Sequence, residues 1–247
     1  MRLTVLGCAG SFPSAASPCS SYLVQADGHT VLVDMGNGSL GALQRHIGLY
    51  DVDTVVLSHL HPDHWIDLLQ YLVARKYAKH CKLGPLPVYG PAGTAGRVAA
   101  AYGEENAADG VFDFRLLTEG TLALGPLEVT AALVNHPIET YGLRFSHGGR
   151  TLTYSADTAE SDTLVDLARD ADVFLCEASF LDSQPNVPDL HLTGRGAGEH
   201  ATRAGARRLL LTHLVPAWGD EEQTLGEARA AYTGPVEVVH SGAVYDI

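Results

Sequence analysis

Ser58-His59-Leu60-His61-Pro62-Asp63-His64 places three imidazoles and a carboxylate within one short stretch, directly after the apolar run Thr54-Val55-Val56-Leu57. Imidazole nitrogens and carboxylate oxygens are the donors that hold Zn²⁺ and similar borderline ions at neutral pH. His59 and His61 set two donors on one side of a turn, and Asp63 with His64 offers two more a step along. One loop of this kind can feed two ions. The competing reading is a histidine-rich solvated loop, and the rest of the chain weighs against it.

A two-ion site needs about six or seven protein donors. The others are expected at strand ends, where rigid backbone aims them. Three residues meet that condition. His136 follows the apolar run Leu127–Val134 and precedes Pro137. Asp157 follows Thr151-Leu152-Thr153-Tyr154-Ser155, and His213 follows Arg208-Leu209-Leu210-Leu211-Thr212. Singly, each has an ordinary structural explanation: a turn residue for His136, a helix N-cap for Asp157, a hydrogen-bonded core histidine for His213. The set is what points to metal. His29, His46, His80, His147, His200 and His240 fit turn or solvated positions and are assigned no function.

Around these residues the chain reads as a layered α/β domain. Its 247 residues are 46% apolar and 18% charged, enough to bury a substantial core. Strands are expected over 2–6, 21–26, 30–34, 53–57, 86–89, 111–117, 127–134, 141–146, 150–155, 172–176, 208–212, 236–240 and 243–246. Helical patterns cover 38–48, 64–79, 92–102, 160–169, 195–206 and 221–231. Asp27-Gly28 and Gly148-Gly149 are hairpin-type turns. Both halves hold comparable numbers of strands and helices. That suits two sheets face to face with helices outside, in a single domain spanning 1–247.

Sixteen Lys and Arg stand against 29 Asp and Glu, a net charge of −13. This argues against stable nucleic-acid binding and against anionic membranes, both of which need basic surface. No segment approaches the roughly eighteen uninterrupted apolar residues of a membrane span. Met1-Arg2-Leu3-Thr4-Val5-Leu6-Gly7 reads as a first strand, not a signal peptide. The four cysteines, Cys8, Cys19, Cys81 and Cys176, form no Cys-x-x-Cys pair. Cys8 and Cys176 lie in or beside apolar runs and are expected reduced and buried, which implies a cytoplasmic location.

His59-x-His61-x-Asp63-His64, then His136, Asp157 and His213, resemble the ordered metal motifs of the metallo-β-lactamase superfamily over essentially the whole chain. The resemblance implies a four-layer αβ/βα sandwich with a dinuclear metal site at the sheet edge. It implies His59, His61 and His136 on one ion, Asp63, His64 and His213 on the other, and Asp157 bridging. Asp34, in Leu32-Val33-Asp34-Met35-Gly36, looks like the family's supporting carboxylate, which orients the histidine loop. The His-rich donors point to Zn²⁺ for both divalent ions, with Mn²⁺ as the alternative. Aspartate at position 157 differs from true β-lactamases, where the bridging position is usually Cys. His61 differs from the acidic residue of the di-iron redox branch.

A second motif narrows the branch. Cys176-Glu177-Ala178-Ser179-Phe180 with His191-Leu192-Thr193-Gly194 downstream is similar to the ribonuclease Z branch. The resemblance makes His191, positioned by Glu177, the acid that protonates the leaving oxygen; otherwise Glu177 is a strand-end carboxylate and His191 a helix-entry residue. Ribonuclease Z proper carries a long arm between its third and fourth metal motifs. Here His136 and Asp157 are only 21 positions apart, and no Lys/Arg-rich loop is present. The chain therefore resembles the short, armless members, including actinobacterial proteins associated with cyclic nucleotide hydrolysis, and relatives of this branch suggest a homodimer.

The expected activity is a phosphodiesterase acting on a small phosphodiester, with 3′,5′-cyclic AMP as first candidate. A hydroxide shared by the ions attacks phosphorus, Asp63 orients or deprotonates that water, and His191 with Glu177 completes the catalytic set. The alternatives are a ribonuclease Z-like nuclease for RNA 3′ ends, a thioester or lactone hydrolase, and a metal-binding scaffold without turnover. Two glycine-containing turns, Gly7-Cys8-Ala9-Gly10-Ser11 and Gly36-Asn37-Gly38-Ser39, are read either as phosphate cradles or as plain tight turns.

Overall fold

The computed structural model describes residues 1–79 and 83–247; His80 and Cys81 lie outside the described residues. The first half runs β1 (Arg2–Gly7), β2 (Ser21–Ala26), β3 (His29–Val33), α1 (Ser39–Leu43), β4 (Thr54–Val56), α2 (Pro62–Trp65), α3 (Leu68–Lys76), β5 (Leu86–Gly90), α4 (Thr94–Tyr102) and β6 (Phe112–Leu116). The second runs β7 (Gly120–Leu124), β8 (Leu127–Leu133), β9 (Tyr141–His147), β10 (Arg150–Tyr154), α5 (Asp162–Leu167), β11 (Val173–Glu177), α6 (Gly194–Ala204), β12 (Leu209–Thr212), α7 (Glu221–Ala231), β13 (Val236–Val238) and β14 (Val244–Asp246).

These strands form two seven-stranded sheets, ordered β14-β1-β2-β3-β4-β5-β6 and β13-β12-β11-β10-β9-β8-β7. The same plan occurs twice. Antiparallel pairing of β1, β2 and β3 passes into parallel β3, β4, β5 and β6. Antiparallel β7, β8, β9 and β10 pass into parallel β10, β11, β12 and β13.

The period-two alternation of strand side chains explains the layering. Leu3, Val5, Tyr22, Val24, Val31 and Val33 face inward and pack on Val129, Leu143, Phe145, Leu152, Tyr154 and Leu210 of the opposite sheet. Their neighbours Leu6, Leu23 and Leu32 face the other way, under Leu43, Trp65, Leu68 and Val98 of the first helical layer. Phe174, Cys176, Leu209 and Leu211 do the same under Leu164, Ala197, Ala201 and Ala228 of the second. Sheets buried on both faces need nearly continuous apolar strands, as Leu209–Leu211 and Val31–Val33 show. The result is the expected αβ/βα sandwich.

Several boundaries differ from the sequence expectation. The helix expected over 38–48 ends at Leu43, because Gln44, Arg45 and His46 are all exposed and supply no apolar face. The helix expected over 64–79 is two helices. Asp67, between them, sends its N–H to Met35 O and accepts the N–H of Leu40 on its carboxylate at 2.8 Å. Strand β7 was not expected; it is a largely exposed edge strand with little apolar pattern. His200 is neither in a turn nor solvated. It is buried in α6, where Nδ1 donates to Gly196 O and Nε2 accepts from Ser161 N–H. Cys19 and Cys176 are buried and Cys8 is half-buried, all three as free thiols. Among the described residues no helix is long and apolar enough to cross a membrane.

Candidate metal centre

The site collects at one edge of both sheets. Asp34 leaves β3; Ser58–His61 join β4 to α2, which carries Asp63 and His64; His136 follows β8, Asp157 follows β10, and His213 follows β12. Three of the residues that leave these strands adopt left-handed backbone without being glycine: Asp34 (φ 56°), Ala156 (φ 55°) and His213 (φ 61°). Such conformations cost of order 1–3 kcal/mol each and persist where packing over-determines them. They turn the chain sharply as it leaves the strand, so that adjacent side chains return toward the edge.

Two donor groups that share Asp157 result, and a third group of possible ligands joins Glu177, His191 and His213. Donor atoms of His59, His61, His136 and Asp157 all lie within 4.8 Å of one another, and so do those of Asp63, His64, Asp157 and His213. In the first, His61 Nδ1 stands 3.1 Å from His136 Nε2, and His59 Nε2 stands 3.6 Å from Asp157 Oδ2. In the second, His213 Nε2 is 3.2 Å from both His64 Nε2 and Asp63 Oδ2. Asp157 belongs to both groups, with Oδ2 toward His59 and Oδ1 toward His64 at 3.1 Å. His59 Nε2 and Asp157 Oδ1 are buried without any hydrogen-bond partner. Convergent buried donor atoms of this kind fit a cation, since buried polar atoms otherwise find partners. All seven sequence-derived donors are therefore brought together, in groups that could hold divalent metal.

Each inner histidine is held from behind through its other nitrogen, as metal-binding imidazoles require. Ser58 Oγ lies 3.0 Å from His59 Nδ1, and Asp34 Oδ2 lies 2.8 Å from His64 Nδ1. His136 Nδ1 donates to Leu190 O at 3.0 Å, and Ser179 Oγ lies 2.8 Å from His213 Nδ1. Asp34 also accepts from Ser58 N–H, Ser58 O–H and Tyr154 O–H.

Burial, assisted by neighbouring imidazoles, lowers the pKa of His59, His61 and His136, which leaves their lone pairs free. Burial pulls His64 the same way, but the carboxylates of Asp157 and Asp34 outweigh it and hold a proton there in the metal-free protein. Burial pushes the Asp157 and Asp63 carboxyls up, yet the imidazoles of His213 and His64 bring both below the usual carboxylate range.

Beside the donors stands the acid pair. His191 Nδ1 donates to Glu177 Oε1 at 2.8 Å. Glu177 is fully buried and also accepts from Thr158 N–H, Ser179 N–H and Ser179 O–H. Burial alone would lower the His191 pKa; Glu177 reverses that and raises it to about 9. The His191 ring lies 5.6 Å from the rings of both His136 and His213, so it addresses both donor groups.

The two glycine turns are structural rather than phosphate cradles. Successive N–H groups of Cys8, Ala9, Gly10 and Ser11 go to Ser17 Oγ, Pro18 O, Leu214 O and Asp63 Oδ2. Gly36 and Ser39 N–H go to Ser20 O and Gly36 O, and Leu40 N–H goes to Asp67. The first turn thus braces Asp63. Gly10 is required there, since a Cβ would stand 2.5 Å from His213 O. Ser179, Tyr154 and the Ser11 N–H were not expected as supports of the site; Ser179 lay inside the Glu177-Ala178-Ser179-Phe180 motif, and Ser11 in a glycine turn read only as a phosphate cradle or a plain turn.

Residues 29–214 match the profile of a beta-lactamase superfamily domain. An uncharacterized protein of Mycobacterium leprae is 45% identical over 254 residues, spanning 100% of this chain and 89% of that protein. YhfI of Bacillus subtilis, a probable metallo-hydrolase, is 32% identical over the full length of both chains. Its crystal structure superposes with a TM-score of 0.88 at 30% identity, covering 99% of this chain and 98% of that one. Ribonuclease Z of Myxococcus xanthus is 28% identical, spanning 100% of this chain and 98% of that protein.

Proposed function

Because the chain belongs to the metallo-β-lactamase superfamily, we propose that this metallo-hydrolase is a phosphodiesterase for small phosphodiesters such as 3′,5′-cyclic AMP. The observation that carries the reading is the Glu177–His191 pair beside the two donor groups. An ester whose leaving group is an alkoxide needs an acid, whereas a thiolate departs without one. A buried carboxylate that keeps an imidazole protonated supplies that acid.

His59, His61, His136 and Asp157 would hold one divalent ion, and Asp63, His64, His213 and Asp157 the other. Zn²⁺ suits so many imidazoles, and Mn²⁺ would also accept the shared aspartate. When bound, the ions would acidify water and neutralise charge growing on the phosphoryl oxygens. Asp63, held by Ser11 N–H at 2.8 Å, would accept a hydrogen bond from the attacking water. His191 gives its Nε2 proton to the departing sugar oxygen as the P–O bond breaks. Glu177 positions His191 by accepting its Nδ1–H.

Small size is favoured over RNA by charge and by topology. His136 connects to Asp157 through β9 and β10 and their hairpin, with no inserted arm. A net charge of −13 disfavours phosphate-backbone affinity. Cleavage of RNA 3′ ends is the second reading, supported by the likeness to ribonuclease Z.

The test is product chromatography after incubating Zn²⁺- or Mn²⁺-loaded protein with 3′,5′-cyclic AMP, beside Asp157→Ala. AMP formed by the parent and not by the variant is expected. No AMP from fully loaded protein would overturn the cyclic-nucleotide assignment and turn attention to RNA 3′ ends and thioesters.

A further inference from the structure

Two exposed aromatic rings stand on loops that lead away from the metal centre, without a part in the chemistry above. Phe12 is 40% exposed and Trp218 is 44% exposed. They meet edge to face, with ring centres 6.3 Å apart and planes at 68°. Exposed apolar residues scattered singly are ordinary. A contacting aromatic pair built across two loops of the site is a different matter.

Each ring is carried by a loop that also holds part of the centre. Phe12 follows Ser11, whose N–H fixes Asp63. Trp218 lies in the turn after His213, closed by Gly219 N–H to Val215 O at 2.7 Å. Gly10 N–H to Leu214 O, at 3.0 Å, ties the two loops together. A third loop, joining Ser179 to His191, reaches Trp218 O through the Gln184 side chain at 3.5 Å. The pair therefore stands where the segments bearing Asp63, His213 and the Glu177–His191 acid meet.

We infer that Phe12 and Trp218 form a stacking platform for the planar base of a nucleotide whose phosphodiester lies at the metal centre, an inference that rests on the phosphodiesterase reading. An edge-to-face pair leaves at least one face of each ring uncovered by the other, and stacking needs only a face. Residues 8–17, 179–191 and 213–220 contain no Lys or Arg. A nucleotide at this rim is consequently held by ring contact and not by charge pairing. A platform of this kind favours purines for their larger face and separates adenine from guanine only weakly.

The experiment is calorimetric titration of metal-loaded protein with AMP and, separately, with ribose 5-phosphate, which carries the phosphate and sugar without the base. Parent, Phe12→Ala/Trp218→Ala and Trp218→Phe proteins are compared, with thermal melts to show that each is folded. The double variant is expected to bind AMP about 5- to 150-fold more weakly, the range that one lost base stack gives. Ribose 5-phosphate affinity should move by less than about twofold, and Trp218→Phe, which keeps a ring, should retain most of the AMP affinity. AMP should also quench Trp218 emission, since the other tryptophan, Trp65, is buried with its N–H on Leu60 O.

Equal losses for both ligands, no loss for either, or no quenching would overturn the platform. Cyclic AMP turnover, measured alongside, separates the two ideas. Base-selective binding without hydrolysis sinks the phosphodiesterase reading and leaves the platform standing. Hydrolysis with base-independent losses sinks the platform alone.

Discussion

Glu177→Gln is the sharpest probe of the acid pair. Glu177 is buried and bonded to His191 Nδ1 at 2.8 Å, and its charge lifts that imidazole from an ordinary 6.5 to about 9. The amide keeps the size of the side chain and removes the charge, so the His191 pKa falls toward its ordinary value, with burial lowering it and Asp157 and Asp63 still raising it. At about pH 8, a full return to 6.5 takes the protonated share of His191 from about nine in ten to about three in a hundred. The expected loss in kcat/KM is therefore up to about 30-fold for a substrate that leaves as an alkoxide. The sign follows from the protonated form being the active one: activity declines as pH rises, and the decline begins at lower pH in the variant. The assay is a pH series of kcat/KM with 3′,5′-cyclic AMP beside bis(p-nitrophenyl) phosphate, whose nitrophenolate departs without an acid. A loss confined to cyclic AMP, with the pH limb displaced, supports the argument. Equal losses on both substrates, or an unmoved limb, would refute it by showing that Glu177 merely holds the loop through Thr158 and Ser179.

Metal uptake should release protons and weaken as pH falls, because an ion must displace the proton that Asp157 and Asp34 hold on His64. Calorimetry of Zn²⁺ binding in buffers of different ionisation enthalpy reads this directly, and buffer-independent heats would contradict it. Gly10→Ala puts a methyl 2.5 Å from His213 O; urea denaturation should show a loss of about 1–3 kcal/mol, and metal analysis a lower ion content. An unchanged midpoint and ion content would show that the loop yields freely. Tyr154→Phe removes one donor from buried Asp34; about 1 kcal/mol of stability should go with it, while cyclic AMP turnover falls by less than about tenfold. A larger loss of turnover would mean that Tyr154 does more than support Asp34.

The parts of this molecule that were readable in sequence are those governed by local pattern. Leu209-Leu210-Leu211 and Val31-Leu32-Val33 announce buried strands whatever surrounds them, and the histidine loop announces metal through donor density alone. Strand β7 escaped because Gly120-Thr121-Leu122-Ala123-Leu124 is mostly exposed at a sheet edge, where no apolar alternation is enforced. Asp67 escaped because its role depends on Leu40 and Met35, which are distant in sequence. The same reason hid the Ser11 N–H: every residue has such a group, and only the pairings of Ala9 with Cys19 and Leu214 aim this one at Asp63. His200 looked solvated because a histidine in a polar helix carries no mark of the neighbour that will bury it.

The donor groups take residues from both sheets: His59, His61, Asp63 and His64 come from one half of the sandwich, and His136, Asp157 and His213 from the other. Ions shared across that seam would act as a clasp between the halves, adding about 4 kcal/mol to their cohesion at a thousandfold excess over Kd. Metal scarcity would then reach beyond idle enzyme. The halves of unclasped molecules would part more often, exposing Leu143, Phe145 and their partners to proteolysis, so the amount of this protein in a cell would track the supply of its ion.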